Sequence, residues 1–61
     1  MKKKKVLLAK YKDGMNQELN QFFRSSCVGD IYFLAKTYDL KLIGIEEIYM
    51  DELDYLSLFC N

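Results

Sequence analysis

The sequence predicts a small α+β domain, and three stretches carry that expectation. Residues 3–11 alternate as a strand with apolar side chains on both faces. Residues 14–26 change to a helical spacing, and residues 40–50 gather three isoleucines around a central glycine. The expected order is β-α-α-β-α: strands at 3–11 and 40–50, helices at about 14–26, 28–38 and 51–60. At 61 residues the chain has room for one domain, read as 1–61 with residues 1–4 a frayed basic tail. A hydrophobic share of 51% excludes a disordered or collagen-like chain.

In the first strand Val6 and Leu8 point one way, and Leu7, Ala9 and Tyr11 the other, so both faces have something to bury. Lys12, Asp13 and Gly14 read as a stop, with Asp13 or Asn16 capping a helix that starts there. That helix places Met15, Leu19, Phe22, Phe23 and Ser26 on one face and amides and charges on the other. Ser25 or Ser26 is the expected cap of a second helix, with Ile31, Leu34, Ala35 and Tyr38 inward. Residues 40–50 fit a strand better than a helix, with Gly44 marking a bulge or a close approach. The strand reading sets Leu40, Leu42, Ile48 and Met50 against Ile43, Ile45 and Tyr49. Asp51 then caps a closing helix through Leu53, Leu56, Phe59 and Cys60.

The chain has no His, no Trp and no Pro. Cys27 and Cys60 alone cannot complete a zinc site, so no metal is expected, and no cofactor either. The two thiols are expected to be buried and reduced. No nucleophile has a histidine base, Glu46 and Glu47 diverge on strand or helix alike, and the glycines make no phosphate loop. These features exclude the common enzyme classes. Met1, Lys2–Lys5 and Val6–Ala9 open like a secretory signal, but Lys10 ends the apolar run after four residues, where a signal needs about 7–15. No stretch reaches the roughly 20 apolar residues of a membrane span, so a cytoplasmic protein is expected.

Charge balances in sum, 9 against 9, but not along the chain. Residues 1–24 hold seven cations and two carboxylates, net +5; residues 25–61 hold two cations and seven carboxylates, net −5. Such asymmetry suits a basic arm, an acidic binding face or attraction between subunits, or else a surface compensated within the chain.

Leu34, Ala35, Tyr38, Asp39, Leu40, Ile45 and Ile48 have a spacing that resembles the helix-turn-helix unit of bacterial repressors. The resemblance covers about 20 residues, 31–50, and implies a recognition helix at 41–50 that reads DNA. Asp39 stands where that unit usually has glycine, and Glu46 and Glu47 give the would-be reading helix the wrong sign for phosphates. Lys2, Lys3, Lys4 and Lys5 would supply weak, non-specific nucleic-acid affinity.

Nine aromatic residues in so short a chain, with a two-faced strand, favour binding to protein. The leading expectation is a small non-enzymatic regulatory or inhibitory protein. It would form a homodimer through Leu7, Ala9 and Tyr11 and bind another protein through Glu46, Glu47, Asp51, Glu52 and Asp54. The alternative is a nucleic-acid-binding regulator.

Overall fold

The computed structural model describes residues 3–59. Its order is β1 (Lys3–Lys12), β2 (Glu18–Arg24), α1 (Val28–Thr37), β3 (Lys41–Asp51) and α2 (Glu52–Phe59). The α+β class holds, but the order is β-β-α-β-α. Lys3 and Lys4 belong to β1 and not to a frayed tail.

The correction concerns residues 14–26, where a strand stands in place of the expected helix. Asp13 turns the chain back on itself. Its Oδ1 accepts the N–H groups of Met15 and Gln17, both at 2.9 Å, while the Asn16 N–H reaches the Asp13 carbonyl at 3.1 Å. Asn16 takes a left-handed φ of 67°, closing a three-residue hairpin loop of the kind that combines a tight turn with a left-handed residue. With the chain reversed, Glu18–Arg24 pairs antiparallel along β1, Val6 opposite Arg24 and Lys12 opposite Glu18. The spacing of Leu19 and Phe23 satisfies a strand as well as a helix. Pairing with β1 selects the strand.

The sheet order is β2-β1-β3, all antiparallel. The two-faced strand is therefore central, and its faces are covered within one chain. Leu7, Ala9 and Tyr11 lie beneath α1 in a core with Ile31, flanked by Phe23, Leu34, Ala35, Leu40 and Leu42. Val6, fully buried, faces the other way, as do Lys4 and Arg24. There α2 covers the sheet: Lys4 Nζ sits 5.9 Å from the Tyr55 ring centroid, and the Arg24 guanidinium 5.5 Å from that of Phe59. Arg24 Nη2 also donates to the Phe59 carbonyl at 3.3 Å. The inner stripe of α2 is thus Tyr55 and Phe59, stacked 4.9 Å apart, whereas Leu53 and Leu56 are exposed. Asp51 directly precedes α2, but its Oδ1 engages Lys3 Nζ at 2.8 Å. Cys60 lies outside the described residues.

β3 carries an irregularity next to Gly44. Lys10 opposes Gly44 and Tyr11 opposes Leu42, which leaves Ile43 as an extra residue. The insertion turns Leu42 onto the Tyr11 face, with Leu40, so those two leucines join Ile45 and Tyr49 and not Ile48 and Met50.

Cys27, not Ser25 or Ser26, is the N-cap residue of α1, and it makes no side-chain cap bond. At the other end the Leu40 N–H returns to the Ala35 carbonyl at 2.8 Å, with Asp39 left-handed at φ 53°. This closure favours glycine at that position. Asp39→Gly is expected to stabilise the fold by about 1 kcal/mol, since a β-carbon in this region costs about 1–2 kcal/mol. An unchanged urea midpoint would show that the aspartate is not strained there.

Candidate interaction surfaces

The charged residues show where the +5/−5 asymmetry goes. Antiparallel pairing of β1 with β3 lays the basic end of the chain along the acidic one. Lys3 meets Asp51 at 2.8 Å, Lys5 meets Glu47 at 3.6 Å, and Lys10 meets Glu46 at 3.3 Å. The Lys3 pKa is raised by its hydrogen bond to Asp51 and by that carboxylate's charge. These are exposed pairs, each worth about 0–1 kcal/mol. They follow from the strand register and add little stability.

The five acidic candidates do not make one surface. Glu47 shares the α1 face with Leu7, and Glu46 shares the opposite face with Leu8. Asp51 ends β3, while Glu52 and Asp54 occupy the first turn of α2, where a helix N-terminus favours acids. Of the basic candidates, Lys3 and Lys5 are ion-paired, Lys4 lies over Tyr55, and Lys2 falls outside the described residues. Leu7, Ala9 and Tyr11 are buried, and both edges of β1 are hydrogen-bonded within the chain. They leave no strand edge for a second copy. Residues 41–50 are strand, so the segment 31–50 forms no helix-turn-helix.

Chemistry is sparse. Among the described residues no three His, Cys, Asp or Glu side chains are placed to hold a metal ion, and no helix is long and apolar enough to cross a membrane. The buried polar group of note is the Tyr11 hydroxyl, which donates to the Ile31 carbonyl at 2.8 Å and ties β1 to α1. Burial raises its pKa above the usual tyrosine value. A raised folded-state value favours the fold while the phenol keeps its proton. That contribution is complete below the unfolded value, about 10, and is lost as pH rises through the folded one. Tyr11→Phe should cost about 0.5–1.5 kcal/mol at neutral pH and flatten the alkaline fall in stability. Urea titrations at pH 8 and above 10 test both; an equal alkaline fall in the variant would assign it to another group.

Two features remain open. A groove of about 460 Å³ runs between β2 and the C-terminal half of α1, lined by Tyr11, Leu19, Leu34, Tyr38 and Leu40 with polar Asp13, Asn20 and Gln21. On the outer side of α1, Val28, Tyr32 and Phe33 project away from the core, Tyr32 56% and Phe33 69% exposed. A count of aromatic residues misses this outer side, because it does not assign them to a helix face. The i, i+4 spacing of Val28 and Tyr32 carries the signal. Comparison with protein-family models, curated proteins and solved structures finds no match to the chain.

Proposed function

We propose that this is a small non-enzymatic binding protein that regulates or inhibits a partner protein by occupying part of its surface. The observation that carries the reading is the outer side of α1. Tyr32 and Phe33 stand exposed there on a helix whose opposite side holds Ile31 in the core. Exposed aromatic residues are over-represented at the energetic centres of protein interfaces. Fixing them on a packed helix also lowers the ordering cost of binding. The acidic residues contribute less, since lysines of β1 already engage Glu46, Glu47 and Asp51. We place the action in the cytoplasm, because two cysteines 33 residues apart make no disulfide framework.

The test compares tagged protein with a Tyr32→Ser/Phe33→Ser variant in pull-downs from host extract, using Leu53→Ser on exposed α2 as control. A partner held in stoichiometric amount by the parent and the control, and lost by the double variant, is the expected result. Equal capture by all three would remove α1 from the interface. Salt-dependent retention on DNA with no protein partner would favour the nucleic-acid reading.

A further inference from the structure

The groove between β2 and the C-terminal half of α1 is built from parts that are fixed before anything enters it. Its floor is Tyr11, 1% exposed and held by the bond from its hydroxyl to the Ile31 carbonyl. Leu19 of β2 stands on one side, with Leu34 and Leu40 on the other. The bond from the Leu40 N–H to the Ala35 carbonyl fixes the α1 end, and the hydrogen-bonded Asp13 loop fixes the β2 end. At about 460 Å³ the groove falls within the usual range of small-molecule sites, roughly 300–1,000 Å³. Such sites are apolar and largely preformed, with a few polar groups that orient the ligand.

The polar lining indicates the charge of the occupant. Asp13 is the one charged side chain among the described residues that line the groove. The bonds it accepts from the Met15 and Gln17 N–H groups both fall on Oδ1. Among the described residues no cation pairs with it, so Oδ2 is left to accept from a ligand. Gln21 turns its Nε2 to the Phe22 carbonyl at 3.3 Å, which leaves Oε1 as a second acceptor. Lys12 and its cross-strand neighbour Lys41 project from the sheet face opposite to Tyr11, away from the groove. Tyr38, 66% exposed, adds an aromatic ring, whose face attracts cations. An anion would meet the Asp13 carboxylate as a like charge, and a neutral ligand would leave that charge unmatched.

We propose that this groove binds a small aromatic amine in its protonated form. The apolar body lies on Tyr11 between Leu19, Leu34 and Leu40, and the primary ammonium donates to Asp13 Oδ2 beside Gln21 Oε1 and the Tyr38 ring. A primary ammonium suits these acceptors because it carries three N–H donors, where a quaternary ammonium has none. An aromatic body suits the walls because a rigid ring buries apolar surface at little ordering cost. The groove shares no residue with Val28, Tyr32 and Phe33 on the outer side of α1, so the proposal stands independently of the partner-binding reading.

The test is a titration of the full chain with three probes that share one ring: tryptamine as the cation, indole-3-ethanol as the neutral form and indole-3-propionate as the anion. The chain has no Trp, so the indole fluorescence of each probe reads binding directly. Tryptamine should saturate with a Kd on the order of 0.1–1 mM, at least about fivefold tighter than the alcohol, with the anion weakest. Its amide shift changes in nitrogen-15 spectra should centre on Asp13, Leu19–Gln21 and Tyr38. Asp13→Asn keeps the Oδ1 acceptor of the loop and removes the charge, and should weaken tryptamine about five- to tenfold while leaving the alcohol unchanged. Tyr38→Leu, at an exposed position, should weaken tryptamine about two- to fivefold with the fold intact. Equal binding of all three probes would overturn the proposal. So would an unchanged Kd in folded Asp13→Asn, shift changes centred on Tyr32 and Phe33, or no saturation by 10-fold above the expected Kd.

Discussion

Leu7→Lys is expected to unfold the protein at every concentration. Leu7 is 6% exposed, on the central strand, beneath α1. An unpaired ammonium there costs several kcal/mol before the lost apolar contacts are counted. A chain this size holds only about 3–5 kcal/mol in reserve. Far-ultraviolet circular dichroism across a hundredfold range of concentration, about 3 to 300 µM, is the measurement, since mass action would rescue a protein weakened only in self-association. Native signal returning at high concentration would restore Leu7 to an intermolecular surface and contradict its place in the intrachain core.

The second large effect separates the two sides of α1. Ile31 is fully buried and its carbonyl receives the Tyr11 hydroxyl. Ile31→Ala should cost about 2–5 kcal/mol, enough to bring the midpoint of thermal unfolding near room temperature or below. Phe33→Ala, two residues on, removes a larger side chain but should change stability by no more than about 0.5 kcal/mol. Thermal melts of the two variants side by side read the difference. A large loss for Phe33→Ala would mean that this aromatic packs within the chain, and the case for α1 as a partner surface would fall with it.

The elements differ in how plainly the sequence announces them. α1 is legible because Ile31, Leu34 and Ala35 recur at helical spacing, and the inward placement of all three holds. Tyr38, expected beside them, is exposed at the helix end. β3 is legible from its isoleucines, and so in kind is the irregularity beside Gly44. Its consequence is not, because an inserted residue reverses the facing of everything before it. β2 misleads for a different reason. Met15, Leu19, Phe22 and Phe23 do recur at helical spacing, and the deciding bonds, from two backbone N–H groups to Asp13 Oδ1, occur only once the chain has turned.

The candidate site shows the same division. The lysine run and the acidic second half are plain in the sequence, and so is the possibility that they compensate each other. Which lysine meets which carboxylate depends on strand register, set by a central β1 between β2 and β3. By itself the sequence determined the small α+β class, the first and last strands, two of the helices, and the absence of histidine chemistry. These come from composition and from patterns within a dozen residues, where side-chain spacing maps directly onto a helix or a strand. Only the tertiary structure decided that residues 18–24 extend, that the two-faced strand is covered within the chain, and that β2 and β3 are the edges of the sheet. Those outcomes rest on pairings between residues distant in sequence. A local pattern compatible with two structures takes the one that gives the central strand its neighbour.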